Sequence, residues 1–201
     1  MEIAAVGAAR RRLLGGLLAC AVALGSAPPC VAQAHAGNGS NASAALERSV
    51  KAAFLYKFLG YTEFPPASFA DPAAPLVIGV LGADELAAEL ARIVAGRNVL
   101  GRPVQVKTVK EGEVPAGVHL LFIGGSDNAR VRAVLKALNT AAPMLVVTEA
   151  DNGLLYGSVI NFKIVEERVR FDVSLEAADK NSVKLSSRLL TVANHVVKGT
   201  P

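Results

Sequence analysis

The sequence predicts an α/β fold with a mixed sheet of about six strands and flanking helices, ending in an antiparallel hairpin and a C-terminal helix. Two patterns predict it. Short apolar runs, typical of strands buried on both faces, alternate with segments of helical apolar spacing. Near the C-terminus, alternating apolar and polar residues are typical of a hairpin with one wet face. The 201 residues, 52% hydrophobic and 19% charged, are enough for one folded domain with its own core.

Residues 1–34 have the features of a secretory signal. Arg10–Arg12 provide a positive start, Leu13–Leu24 form an uncharged apolar run, and Ala32–Ala34 match a cleavage site of small residues. The apolar run is shorter than the roughly 20 residues that span a bilayer, so a membrane anchor is only a minor alternative. A lipoprotein signal, in which Cys20 would carry the lipid, is another.

These features predict a signal peptide over residues 1–34, a flexible linker over 35–43 and one domain over 44–198. Setting the signal aside lowers the formal net charge from +4 to +2, because the signal contains three arginines and one glutamate. The basic excess therefore gives no support for a nucleic-acid partner. Both cysteines, Cys20 and Cys30, lie in the signal, so we expect neither a disulfide nor a thiol nucleophile in the exported domain.

The segment 44–60 predicts a helix, with Ser43 as its N-cap and Gly60 as its end. Its apolar residues occupy more than one face, which is typical of a helix buried on two sides or of a helix at an interface. One predicted face comprises Leu46, Val50, Ala53 and Phe54, and neighbouring faces add Leu55, Phe58 and Leu59.

The middle of the chain alternates strands and helices. Leu76–Leu81 is a continuous apolar run, and Asp84 opens a segment with helical apolar spacing. The same alternation continues to residue 148, which is typical of an α/β fold. The further predicted strands are 103–109, 119–123 and 143–148, and a further helix follows the turn 124–127.

The pattern changes after residue 157. Residues 158–165 and 168–175 predict the two strands of an antiparallel hairpin, joined by Glu166-Glu167. A short turn rich in Ala and Asp follows. The apolar spacing then predicts a last helix from about residue 185 to 197, with Leu185, Leu189, Val192 and Val196 on one face.

No motif in the sequence indicates catalysis. The turn Gly124–Asp127 could hold a phosphate at a helix start, but it lacks the known phosphate-binding patterns, so a turn with Ser126 or Asp127 as N-cap is favoured. His119 and His195 have no ligand-type neighbours at metal-binding spacing. We therefore expect no catalytic residue, no metal and no cofactor, and a binding or regulatory role.

Aromatic residues are concentrated in one segment. Six of the ten aromatics lie between Phe54 and Phe69. The default interpretation is a core helix followed by a packed loop. The alternative is that part of the cluster contacts a partner, because aromatics are enriched at interface hot spots.

The aromatic segment carries a family resemblance. Residues 50–58 (VKAAFLYKF) and 61–65 (YTEFP) resemble the opening motif of the YfiR-like periplasmic family, whose usual form is close to KAAFLYNF followed by EWP. Each motif alone is weakly specific, but their order is collinear over about residues 46–197. The other matching segments are 78–82 (IGVLG), 119–123 (HLLFI), 157–162 (GSVINF), 170–173 (RFDV) and 185–190 (LSSRLL).

The resemblance implies a small α/β regulatory protein in the periplasm. A member of the family represses an inner-membrane diguanylate cyclase by binding its periplasmic sensor domain, and release raises cyclic-di-GMP and promotes biofilm formation. The implied partner here is such a cyclase or another sensor protein, such as a histidine kinase. A homodimer also stays open, and the mature form would have no membrane span. The implied partner contacts lie in residues 154–173 and the last helix, with Leu155, Glu167 and Val173 as candidates.

The sequence departs from the family pattern at three points. Phe64 stands where Trp is frequent, Ser174 stands where Asn is common, and the disulfide cysteines of the best-known member have no counterparts. Two rival hypotheses stay open beside the regulator: a periplasmic protein that binds a small molecule, and a hydrolase with an unrecognised site.

Overall fold

The computed structural model describes residues 36–113, 115–138 and 142–199. The predicted signal, with Cys20 and Cys30, therefore lies outside the described residues. The helices are α1 Ala36–Gly60, α2 Asp84–Val94, α3 Asn128–Ala137, α4 Leu175–Lys180 and α5 Ser187–Val192. The strands are β1 Thr62–Glu63, β2 Leu76–Leu81, β3 Asn98–Val99, β4 Arg102–Val109, β5 Leu120–Ile123, β6 Leu145–Thr148, β7 Ile160–Val165, β8 Arg168–Ser174, β9 Lys184–Leu185 and β10 His195–Val197.

Among the described residues, the main sheet has eight strands in the order β10-β8-β7-β6-β5-β2-β4-β3. The five strands from β7 to β4 run parallel to one another, while β8 is antiparallel to β7 and β3 is antiparallel to β4. The edge strand β10 runs parallel to β8. β1 and β9 form a separate antiparallel ribbon. The predicted mixed α/β sheet is confirmed, with eight strands rather than six, because short edge strands carry weak sequence signals.

The three central parallel strands, β2, β5 and β6, are buried on both faces. In β5, Leu120 and Phe122 belong to the core shared with α1 and α2, whereas Leu121 and Ile123 belong to the core under α3. Residues of a strand point alternately to opposite faces, so a strand with a helix layer on each side has no polar positions. This explains the continuous apolar runs of the sequence.

Helix α1 differs from its prediction in its start and in its orientation. It begins at Ala36, so residues 36–43 of the predicted linker are helical and Ser43 is an interior residue. No proline interrupts this segment, and isolated glycines cost a helix only about 1 kcal/mol each. The predicted core face was also partly wrong, since Leu46 is 67% exposed and the fully buried side of α1 carries Ala52, Leu55, Phe58 and Leu59.

The predicted C-terminal helix over 185–197 is present only as α5. It is flanked by β9 and β10, so the prediction was wrong at both ends. The backbone N–H of Asn194 donates to the carbonyl O of Phe171 (2.8 Å), and its side-chain amide donates to Asp172 (2.8 Å). These bonds to β8 end the helix, and Val196 and Val197 extend the sheet instead. None of the described helices combines the length and apolar character needed to cross a bilayer.

Candidate interaction surface

Ligands of α/β sheets usually bind at the carboxyl ends of the parallel strands, where the strand order reverses. Here that point lies between β2 and β5, and Arg130 fills it. Its Nη1 donates to the carbonyl O of Gly124 (2.8 Å), and its Nε is paired with Glu111. A Cβ at Gly82 would overlap the guanidinium. The chain's own side chain therefore occupies the usual ligand crevice.

The neighbouring turn is likewise occupied by internal partners. The backbone N–H of Gly125 donates to Oε1 of Glu149 (2.6 Å), and Oε2 of Glu149 contacts Lys51 Nζ (2.6 Å). Asp127 caps α3, its carboxylate accepting from the backbone N–H groups of Ala129 and Arg130. The structure thus agrees with the N-cap interpretation, and an internal carboxylate takes the place that an external anion would need.

Lys51 is charged within this cluster. Burial is the largest influence on its pKa and lowers it, but the hydrogen bonds and negative charges of Glu149 and Glu47 together outweigh burial. The net result is a pKa raised above the usual lysine value. A lysine held in this state is a structural cation rather than a general base.

The two described histidines occupy different environments. His119 is buried at the head of β5, whereas His195 is exposed on the edge strand β10. Within the described ranges, no group of three or more His, Cys, Asp or Glu residues is placed to hold a metal ion.

The aromatic segment mostly packs the core. Phe58 lies 5.0 Å from Phe171 and 5.8 Å from Phe162, measured between ring centroids. Phe54 contacts the same two rings but is only half-buried. Phe58 therefore fits the default interpretation, in which the aromatic cluster packs the core. Phe54 lies where this core reaches the surface.

The hairpin β7–β8 continues the core beyond the cover of α1. Three cross-strand apolar pairs share its α1-facing side: Ile160–Val173, Phe162–Phe171 and Ile164–Val169. The first two pairs are buried, but in the third pair, next to the turn, Ile164 is 52% exposed. An apolar sheet face left uncovered beside the helix that packs on it is an unpartnered surface.

Helix α1 forms the opposite wall of this surface. Leu46, Val50 and Phe54 face Ile164 and Val169 across a groove of about 880 Å³, which we call the hairpin groove. Its rim is charged on both sides. The rim residues are Glu47, Glu167, Arg168 and Arg170.

The three predicted contact residues do not form one surface. Glu167 is exposed in the hairpin turn and lines the hairpin groove. Leu155 is 51% exposed but lines a separate cavity of about 310 Å³ that shares no residue with the groove. Val173 is fully buried in the core shared with α1 and α2, so in this structure its side chain is not exposed to a partner.

Sequence reasoning missed Leu46 and Ile164. Leu46 fitted the predicted core face of α1, and only the rotation of that helix on the sheet exposes it. Ile164 carried a usable signal, because it continues the apolar alternation of Ile160 and Phe162 as far as the charged hairpin turn, and the end of a hairpin is exposed.

The comparisons agree with the resemblance noted in the sequence. A family model described as YfiR/HmsC-like matches residues 48–194 and so covers most of the chain. Comparison with curated proteins gives no significant match. The matched range contains the aromatic segment, the parallel sheet and the hairpin. The chain therefore belongs to the YfiR/HmsC-like family of periplasmic regulatory proteins in cyclic-di-GMP signalling.

Proposed function

We propose that this protein is an exported, non-catalytic repressor that binds the periplasmic sensor domain of an inner-membrane diguanylate cyclase and lowers cyclic-di-GMP. Family membership supports the signalling role. The hairpin groove supports binding to a protein, because it exposes apolar side chains in direct continuity with the core.

One observation carries the proposal. Leu46 and Ile164 are both more than half exposed, and they line the same groove. Burying two such side chains in a partner would remove apolar surface from water at about 25 cal/mol per Å². The charged rim would set orientation and partner choice rather than affinity.

The mechanism is a population shift. A repressor that binds the inactive state of the sensor more tightly than its active state moves the equilibrium towards the inactive state. A hundredfold preference corresponds to a coupling free energy of about 2.7 kcal/mol. Any signal that weakens binding returns the cyclase to activity, and no chemistry by the repressor is required.

The family and the predicted signal support a periplasmic location. Residues 1–34 would direct export, and the domain from about residue 44 would act after their removal. In the alternative, a lipid on Cys20 would anchor the protein in the same compartment.

A second candidate function is binding of a small molecule. The cavity of about 310 Å³ near Leu155 favours it, because apolar side chains and a few polar groups line it together. The apolar lining includes Leu135, Met144 and Val146, and the polar lining includes Lys180 and Asn181. A ligand there should raise the melting temperature, and Leu155→Trp should abolish that rise while Ile164→Glu should not.

The test of the repressor uses cells that lack the gene. Loss of the protein should raise cyclic-di-GMP, and wild-type complementation should restore the low level. Ile164→Glu and Leu46→Glu should fail to complement, because each places a charge in the apolar groove. Leu100→Glu is the matched control, since Leu100 is 71% exposed between β3 and β4 and does not line the groove.

Each variant is checked for folding by circular dichroism and for export by recovery from the periplasm. If the Ile164→Glu variant is folded and exported and still represses, the hairpin groove is not the binding surface. If the deletion strain has unchanged cyclic-di-GMP, the protein is not a repressor of the cyclase.

A further inference from the structure

His119 connects a segment that we call the strap, residues 64–75 between β1 and β2, to the amino-terminal edge of the parallel strands. The residue directly precedes β5 and is 5% exposed. Its Nδ1 accepts a hydrogen bond from the backbone N–H of Val77 at the start of β2 (3.1 Å). Its Nε2 lies 3.2 Å from the carbonyl O of Ser68 in the strap.

These two contacts define the protonation state of the ring. The N–H of Val77 can only donate, so Nδ1 must offer a lone pair. The carbonyl O of Ser68 can only accept, so Nε2 must carry the proton. A neutral imidazole satisfies both contacts, whereas a proton on Nδ1 would place two donors against each other and leave the N–H of Val77 without its acceptor.

Two aromatic rings of the strap enclose the imidazole. Phe69 stacks on it at a centroid distance of 4.7 Å, and Phe64 meets it edge-on at 5.6 Å. This packing excludes water from a ring that would need solvation once charged.

The charged neighbours of His119 also disfavour its protonation. From β4, the Arg102 guanidinium lies 3.8 Å from the centroid of Phe69 and donates to the carbonyl O atoms of Asp71 and Ala74. The Asp71 carboxylate accepts instead from the backbone N–H of Ala73. Burial lowers the pKa of His119, the hydrogen bond to Ser68 opposes this, and the charge of Arg102 lowers the pKa further, so the net shift is downward.

We propose that His119 is an acid-sensitive latch, which holds the strap on the sheet while neutral and releases it when protonated. We call the state with the strap released from the sheet the open state and the state with the strap held the closed state. In the open state the imidazole ring lies in water and has its ordinary pKa of about 6.5. As the pH falls below that value, the open state binds the proton before the closed state does. The closed state therefore loses stability as the pH falls and regains it as the pH rises.

A series of contacts connects the strap to the C-terminal part of the sheet, so release of the strap can affect that part. The strap follows β1, which pairs with β9, and the backbone N–H of Ser186 donates to the carbonyl O of Tyr61 (2.9 Å). From β9 the chain runs through α5 to β10, which pairs with β8 of the hairpin. The latch does not depend on any partner. Only a link between opening of the strap and partner binding at the hairpin groove rests on the proposed function.

The test measures hydrogen exchange of the protein recovered from its host at pH 7.5, 6.5 and 5.0, corrected for the intrinsic pH dependence of exchange. If only the open state protonates, opening becomes up to about thirtyfold more favourable between pH 7.5 and 5.0. We expect peptides covering residues 64–75 to lose protection towards that factor, while β5 and β6 keep theirs. The lower pH limit lies above the ordinary pKa values of Asp and Glu, so most carboxyl groups stay ionised.

Two variants assign the effect to the ring. His119→Asn cannot titrate but offers an oxygen near the position of Nδ1, so its strap should exchange at a rate that no longer depends on pH. His195→Gln, on the exposed edge strand, should keep the full wild-type pH dependence. The same pH dependence in His119→Asn, or full strap protection in the wild type at pH 5.0, would overturn the latch.

A spectroscopic measurement on the wild type decides the question if His119→Asn does not fold. Nitrogen-15 shifts of His119 should show the proton on Nε2 at neutral pH and a pKa below 6.5. A pKa at or above 6.5, or a proton on Nδ1, contradicts the proposal.

Discussion

Lys51 and Glu149 form a mostly buried ion pair, with Nζ and Oε2 2.6 Å apart, that joins α1 to the residue following β6. Glu47, one helical turn before Lys51, contacts the same ammonium group. The second oxygen of Glu149 accepts from the backbone N–H of Gly125. One lysine and one glutamate thus connect the long helix to the turns after two parallel strands, and they close the edge where other α/β proteins bind ligands.

Replacing Lys51 by Met should cost about 3 kcal/mol in the free energy of unfolding, because it leaves Glu149 as an unpaired and mostly buried carboxylate. Urea unfolding followed by circular dichroism measures the loss. The double variant Lys51→Met/Glu149→Gln should recover part of it. Lys180→Met is the matched control, since Lys180 is 68% exposed and its pair with Glu176 should contribute less than about 0.5 kcal/mol. Equal losses of free energy of unfolding from the two lysine substitutions would show that the Lys51–Glu149 pair contributes no more than an exposed pair.

Gly153→Ala should be strongly destabilising although the residue lies in a turn. A Cβ there would overlap both Oγ1 of Thr148 and Oδ1 of Asn161. Both atoms belong to a buried hydrogen-bonded group that cannot move aside without losing its bonds. We expect a loss of about 3 kcal/mol, measured by thermal unfolding. Gly199→Ala has no atom within 4 Å of its new methyl group and should change stability by less than about 0.5 kcal/mol.

Sequence patterns were sufficient to predict the helices and strands where local signals and tertiary packing agree. The boundaries of β2 and the start of α2 at Asp84 follow directly from an apolar run and an acidic first turn. They were insufficient after Ser174, where local spacing favoured a turn and then one helix. In the structure the Ser174 hydroxyl caps α4, and long-range bonds to β8 convert the end of the expected helix into β10.

The candidate site was less predictable than the fold. Its groove depends on the rotation of α1 about its own axis and on how the hairpin lies beside that helix. Neither quantity is encoded in local periodicity, because a helix with apolar residues on several faces can pack in more than one orientation. Glu167 was placed correctly at the surface because a hairpin turn is exposed in any packing arrangement.

The hairpin turn should tolerate, and benefit from, a change of residue type. Glu166 and Glu167 both have left-handed backbone conformations, with φ of 49° and 59°. Two consecutive residues in this region form the turn that favours Asn-Gly. Glu166→Asn/Glu167→Gly should therefore raise the free energy of unfolding by about 1 kcal/mol, measured by urea unfolding. An unchanged or lowered free energy of unfolding would contradict this.

Val173 and Ile164 should separate folding from binding, because they lie on the same face of the hairpin with opposite exposure. Val173→Ala opens a cavity in the core and should cost about 2 kcal/mol of stability, with repression unchanged while the protein stays folded. Ile164→Ala removes a side chain that is already half in water, so it should cost less than about 1 kcal/mol and yet weaken repression. Unfolding curves and cyclic-di-GMP levels measured on the same two variants test this. Equal effects of the two substitutions on both readouts would mean that Ile164 acts only through the fold, and the hairpin groove would then not be the contact surface.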